Sequence, residues 1–255
     1  MSGRQTADIV FCMDASASMR PAFDGVRDHV MALSDALKGD ANTAWDVRYE
    51  FVAYSTRSKG AYCTLKTVNL DTKGVLDSVY RSGANASSGV GLFTNKVEVF
   101  KSALSSVACN GDEAPAFALD VAADFPFRPA SSCHRVIVLM TDEPMEHGTN
   151  IQAMREHLED LAVKIQDRKI ALYMVTPASN MYDLFSQIDR CEWTVVTDGE
   201  KGLANMNFDK LLSGIGKSVS VSSMQSIDKP IIPASLYNEP NWTFPEDTER
   251  AAVCV

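Results

Sequence analysis

The sequence lacks several features that would have narrowed its function at once. No stretch approaches the roughly 18 consecutive apolar residues of a membrane-spanning helix, so the chain is not expected to cross a membrane. Its six cysteines, Cys12, Cys63, Cys109, Cys133, Cys191 and Cys254, show no C-x-x-C spacing. That excludes a zinc ribbon and points to free thiols in a reducing compartment. The four histidines, His29, His134, His147 and His157, share no metal-ligand spacing either. Positive charge is also scarce. Against 33 Asp+Glu stand 24 Lys+Arg, a net charge of −9, and no basic run concentrates them. A protein that holds nucleic acid or an anionic membrane by neutralising phosphates is expected to be basic, so neither is an expected partner. Residues 1–8 are short and polar, and the apolar run after them, Ile9-Val10-Phe11-Cys12-Met13, is too short for the core of a signal peptide. The expected location is therefore cytoplasmic.

What is present is ordinary globular material. Of 255 residues, 45% are apolar and 22% charged, enough to bury a sizeable core as one large α/β domain, or as one of about 200 residues with an appendage. Residues 8–13 are apolar throughout and end in Asp14, as in a strand buried on both faces. Ser18 is placed to cap a helix in which Val26, Val30, Leu33 and Leu37 recur at helical spacing until Gly39 stops it. Residues 47–54 alternate as a second strand, and 62–70 read as a third, at an edge. Within 71–92 there is one short helix candidate (Val75, Leu76, Val79, Tyr80), followed by a Gly/Ser/Asn-rich loop over 82–91. Helical patterns return over 93–107 and 115–124. Residues 135–140 are the most strand-like in the chain and lead to a second acid, Asp142. A long amphipathic helix over 150–168, a strand over 169–176, a short helix over 181–188, a strand over 193–196 and a helix over 203–219 complete the pattern. Such alternation, with apolar strands, predicts a mostly parallel sheet with helices on both faces, a Rossmann-like α/β fold. The domain is expected to span 1–218. The Ser- and Pro-rich tail, 219–255, is either a strap packed on the domain or a partner-binding segment.

In an open parallel sheet, ligands sit outside the carboxyl ends of the strands where strand order reverses. Three loops are expected there, all bearing oxygen: Asp14-Ala15-Ser16-Ala17-Ser18, Gly111-Asp112-Glu113, and Thr141-Asp142-Glu143-Pro144. Every candidate ligand in them is a hard oxygen, which suits Mg²⁺, Mn²⁺ or Ca²⁺ and not zinc or copper. An Asp-x-Ser-x-Ser turn can aim one carboxylate and two neutral hydroxyls at one point. The cation then keeps residual charge and an open position for an outside carboxylate. Simpler roles exist for each residue: Asp14 as a turn residue, Ser16 and Ser18 as helix caps, Asp112 as a cap of the next helix, Glu143 as a solvated side chain.

Asp14, Ser16 and Ser18 resemble the Asp-x-Ser-x-Ser element of von Willebrand factor A domains, which in those domains forms the metal-ion-dependent adhesion site. The resemblance covers roughly residues 7–218, including Asp8-Ile9-Val10-Phe11, the Gly-Asp-Glu turn and the strand ending in Thr141-Asp142. The stretches from Gly111 through Arg135-Val136-Ile137-Val138 and from Asp142 to Gly148 look most like the A-type domains attached to atypical alpha-kinases, although no kinase domain is present. The resemblance implies a non-enzymatic adaptor that binds a partner protein through a divalent cation, the partner supplying an Asp or Glu oxygen. The implied ligands are Asp14, Ser16, Ser18, Glu113 and Asp142, with Asp112 and Thr141 supporting them.

Two departures from the family pattern bear on this reading. Ala17 stands where the family has glycine between the serines, and the usual threonine of the second loop is replaced by Glu113, counting back from Ala118-Leu119. Asp14, Glu113 and Asp142 would carry −3, leaving −1 with a divalent cation bound. Coulomb's law then favours the cation and weakens attraction for an acidic partner. The alternative reading is a metal-dependent hydrolase or phosphoesterase using the same acids. It lacks an evident general base, nucleophile or phosphate-holding basic residue. Gly214-Ile215-Gly216-Lys217-Ser218 imitates the end of a phosphate-binding loop, but Leu211 occupies the position of its first glycine.

Overall fold

The structure is a computed structural model describing residues 5–38, 44–57, 62–66, 71–74, 93–110, 115–145, 151–196, 201–222 and 231. Among the described residues seven strands form one sheet: β1 (Gln5–Asp14), β2 (Trp45–Arg57), β3 (Tyr62–Lys66), β4 (Asp71–Gly74), β5 (His134–Met140), β6 (Ile170–Pro177) and β7 (Cys191–Val196). The order across it is β4-β3-β2-β1-β5-β6-β7. From β2 to β7 all pairings are parallel, whereas β3 and β4 add an antiparallel edge beside β2. The described helices are α1 (Arg20–Lys38), α2 (Val97–Ser105), α3 (Pro115–Ala123), α4 (Ile151–Asp167), α5 (Lys201–Ala204) and α6 (Phe208–Ser222).

The apolar run of β1 explains the layering. Ile9, Phe11 and Met13 face a core layer with Phe23, Val26 and Leu33 of α1, Phe100 and Leu104 of α2, and Leu212 and Ile215 of α6. Val10 and Cys12 face the opposite layer, with Leu119 of α3, Leu158 and Leu161 of α4, and Tyr182. With a side-chain period of two, only a strand covered on both faces needs to be apolar throughout. Burying each large side chain contributes about 2 kcal/mol, so the central strands anchor the fold. α1 and α6 pack closely enough that a Cβ on Gly216 would come within 2.6 Å of the Leu33 carbonyl oxygen.

Several expectations need correction. Residues 71–74 form the edge strand β4, where the sequence pattern offers only a helix candidate further on. Asp, Thr, Lys and Gly carry little strand signal, and the hairpin pairing with β3 overrides their propensity. Ser18 does not cap α1; it lies inside a 3₁₀ turn, Ala17–Met19, that leads into the helix. The single helix over 203–219 is two, α5 and α6, with the Asn207 side chain accepting the Lys210 N–H at the second start. α6 continues through residue 218 to Ser222, and Val219, Ser222 and Ile231 are all buried. Ile231 packs in the α1/α6 layer. The helix candidate at 75–80, the loop at 82–91, the turn at 111–113 and the rest of the tail lie outside the described residues.

Candidate metal centre

Strand order reverses between β1 and β5. The chain leaves β1 for β2 on one side and later returns to β5 on the other. Two loops meet at the carboxyl ends of this pair. Asp14 is the last residue of β1 and is fully buried. Its Oδ1 accepts the Ser16 N–H at 2.7 Å, an Asx-type turn that folds the loop back over the strand end. The Ala15 N–H donates to the Tyr54 carbonyl at 2.7 Å, carrying the β1–β2 ladder one step further. Ser16 is extended (φ −65°, ψ 166°) and its hydroxyl does not cap the following turn. Instead it stands 3.1 Å from the Ser18 hydroxyl. The Asp-x-Ser-x-Ser spacing thus brings its two hydroxyls together beside a buried carboxylate.

The second loop follows β5. Thr141 Oγ1 donates to Asp14 Oδ2 at 3.2 Å and accepts the Glu143 N–H at 3.2 Å. It ties the two loops together across the switch point. Asp142, next in the chain, is 1% exposed, and among the described residues neither of its carboxylate oxygens has a hydrogen-bond partner. Buried carboxylates are ordinarily hydrogen-bonded, paired or coordinated. Two tyrosines lie beneath the loops. Burial pushes the Tyr182 hydroxyl well above its ordinary range, with Asp14, Cys12, Glu143 and Asp142 adding to it, so this ring senses both acids of the centre. Its hydroxyl donates to the Glu143 carbonyl at 3.1 Å. The Tyr54 hydroxyl is raised in the same way, by burial and then by Asp14.

The structure therefore brings together Asp14, Ser16, Ser18 and Thr141 and sets Asp142 beside them. Glu113 and Asp112 lie outside the described residues. Among the described residues no three His, Cys, Asp or Glu side chains converge, so the described acids of the centre are two. The donors present are oxygens only, and they fit a hard divalent cation: a buried carboxylate without partners, a second carboxylate and two clustered hydroxyls. Sequence reasoning missed Tyr54, Tyr182, Arg20 and Cys109. Arg20 lies over the Phe23 ring at 5.8 Å, its guanidinium donates to the Val107 carbonyl, and it opposes the upward push of burial on the half-buried Cys109 thiol, which Asp14 reinforces. Only Tyr54 carried a readable signal, as the end of a strand paired with β1; the others arrive from the first turn of α1, a 3₁₀ turn and a loop.

No protein-family profile matches the sequence, and no curated protein matches it. Solved structures do. The VWA domain of SpRpn10 aligns over 80% of this chain and 94% of its own, at 12% identity and a TM-score of 0.50. A von Willebrand factor type A protein from Catenulispora acidiphila aligns over 85% of this chain and 43% of its own, at 13% identity and a TM-score of 0.51. The pilus adhesin SpaC from Lactobacillus rhamnosus GG aligns over 85% of this chain and 30% of its own, at 14% identity and a TM-score of 0.51. The chain has the von Willebrand factor A fold. It spans less than half of the second and third of these proteins, and at such identities the likeness is one of fold. In this VWA fold the β1–β5 crevice is the one just described, and the antiparallel pair β3–β4 extends the edge beyond β2. No helix among the described residues is long and apolar enough to cross a membrane.

Proposed function

We propose that this VWA domain is a non-enzymatic protein-interaction module that holds a divalent cation, Mg²⁺ or else Mn²⁺ or Ca²⁺, at the β1–β5 switch point. Asp14, Ser16, Ser18, Glu113 and Asp142 would hold it, with Thr141 keeping Asp14 in place. Its partner is a protein presenting an exposed Asp or Glu. The observation that carries this reading is Asp142: both oxygens buried, neither hydrogen-bonded among the described residues. A cation beside it turns an uncompensated charge into a bound one. When bound, the cation supplies an electrophilic position that an outside carboxylate oxygen can occupy. Asp14 is already oriented by the Ser16 N–H and the Thr141 hydroxyl, so the chain loses little freedom on loading.

A setting inside a cytoplasmic multiprotein complex fits Cys12, Cys109, Cys133 and Cys191, none of which is in a disulfide among the described residues. The adhesive role that the name of SpaC gives that protein runs in the same direction. Calorimetry with Mg²⁺, Mn²⁺ and Ca²⁺ tests the centre. Wild type is expected to bind and Asp14→Ala to lose at least about a hundredfold in affinity, since a charged ligand is removed. Absence of binding by wild type sinks the reading. A pull-down with and without chelator tests the adaptor role. Partner capture should collapse on chelation and return with added Mg²⁺.

A further inference from the structure

Arg20 brings a positive charge to the edge of this acidic centre. It opens α1, two residues after Ser18. Its guanidinium lies over the Phe23 ring at 5.8 Å and donates from Nη2 to the Val107 carbonyl. Among the described residues that is its one hydrogen bond, and no carboxylate pairs with it. Arg27, Arg48, Arg128, Arg155 and Arg168, by contrast, each hold an Asp or Glu within 3.2 Å. Arg135 has no acidic partner among the described residues either, but the carbonyls of Arg128 and Arg168 both accept from it, at the far end of β5. A guanidinium carries five N–H donors in a planar fork that matches a carboxylate, and one carbonyl uses little of it. The side chain is only part-buried. Arg20 and Asp14 also act in opposite directions on the Cys109 thiol, so the guanidinium and the first acid of the centre flank one side chain.

We propose that Arg20 is a partner-binding residue, pairing with a second acidic side chain of the protein whose first acidic side chain reaches the cation. The partner then presents a short acidic segment, not a single Asp or Glu. This rests on the cation reading above. Charge supports it. Asp14, Glu113 and Asp142 leave the loaded centre at about −1, and a guanidinium at its edge brings the local sum to about zero. An acidic segment can approach such a surface without net repulsion. Phe23 and the Val107 carbonyl hold the guanidinium before the partner arrives, so little side-chain freedom is lost on binding. A purely structural tie has a different consequence. Loss of Arg20 would then loosen the segment that runs from Val107 to Glu113, and the cation itself would bind more weakly.

Calorimetry at low salt tests this, with hexaglutamate as the probe and hexaglutamine as its uncharged counterpart, in saturating Mg²⁺. Wild type is expected to bind hexaglutamate, to ignore hexaglutamine and to lose the interaction in chelator. Arg20→Gln is expected to bind hexaglutamate about tenfold more weakly, the worth of one charge-assisted hydrogen bond. Its Mg²⁺ affinity, titrated without peptide, should equal or exceed wild type, since a positive charge beside the metal has been removed. Arg20→Lys restores the charge without the fork and is expected to lie between the two, about threefold weaker than wild type. If Arg20→Gln does not fold, Arg20→Lys decides: weaker hexaglutamate binding at unchanged Mg²⁺ affinity supports the inference, and unchanged hexaglutamate binding overturns it. Weaker Mg²⁺ binding by folded Arg20→Gln means a structural tie and overturns it. So does hexaglutamate binding that Arg20→Gln leaves intact, or a wild type that binds Mg²⁺ but not hexaglutamate; in these cases the cation reading stands. If wild type binds no Mg²⁺, Mn²⁺ or Ca²⁺, both fail together.

Discussion

At the residue scale, Asp142 and the two serines matter most, because each is placed in a way that packing alone does not require. Asp142 is buried, and among the described residues its side chain makes no hydrogen bond. Replacing it with Asn keeps the shape and removes the charge. In the cation-free protein Asp142→Asn is expected to raise stability by about 1–3 kcal/mol, because a buried charge without a partner is relieved. The same change should abolish Mg²⁺ binding. Chemical denaturation in chelator beside calorimetry would register both, and a destabilised cation-free variant would show that the carboxylate is structurally satisfied. Ser16 and Ser18 meet at 3.1 Å and neither caps a helix, so Ser16→Ala is expected to change cation-free stability by less than about 0.5 kcal/mol while weakening Mg²⁺ binding. A helix-cap role would give the reverse, about 1 kcal/mol lost and no change in affinity.

At the scale of elements, the α1–α6 pair controls how tightly one face of the sheet is covered. Gly25 faces the Phe208 ring and Gly216 faces the Leu33 backbone; a Cβ on Gly216 would meet a carbonyl oxygen that has no freedom to swing aside. Gly216→Ala is expected to destabilise by about 1–3 kcal/mol, the usual range for overpacking, despite alanine's better helix propensity. A urea-denaturation midpoint at or above wild type would mean that the helices sit further apart. The same pair shows why the imitation of a phosphate loop around Gly214-Ile215-Gly216 carries no nucleotide chemistry. These residues lie in the middle of α6, buried against α1, and do not open a helix.

Across the whole molecule, the end of the sheet opposite the β1–β5 switch point is held by charge. Buried Asp8 accepts from Arg48 Nε at 2.8 Å and Nη2 at 2.6 Å, and from the Arg128 backbone N–H at 2.7 Å. Burial alone would raise its carboxyl, but the hydrogen bonds from Arg48 and Arg128 outweigh it and hold it below the usual range. Asp8→Asn leaves two arginines facing an amide, and a loss of about 3 kcal/mol is expected in denaturant titration. Nearby His134 behaves in the opposite sense to a salt-bridged histidine. Burial, with Arg190 adding to it, lowers its pKa from 6.5 to about 4, and its buried Nδ1 has no partner among the described residues. Between those values the unfolded chain takes up a proton that the folded chain refuses. Stability contributed here is complete above pH 6.5 and is lost as pH falls toward about 4. His134→Gln should therefore flatten the acid limb of the stability–pH curve relative to wild type by up to about 3 kcal/mol. Superimposable limbs would mean that His134 titrates normally.

The parallel α/β plan was written in the chain itself, because strands buried on both faces must be apolar throughout and helices facing a sheet must repeat at 3.6; residues 8–13 and 135–140, and the stripe of Val26, Val30, Leu33 and Leu37, leave little choice. Asp14, Ser16 and Ser18 were legible for a similar reason: local spacing alone brings them into one turn at a strand end. What no local pattern could announce is which groups meet from distant segments. That Thr141 ties Asp14 down, that Asp142 is buried with no hydrogen-bond partner among the described residues, that Tyr54 and Tyr182 lie beneath both, and that 71–74 pairs as an edge strand all depend on strand order and layer packing. Burial and hydrogen-bond satisfaction belong to the assembled tertiary structure, since they depend on what lies opposite a side chain and not on what precedes it in the chain.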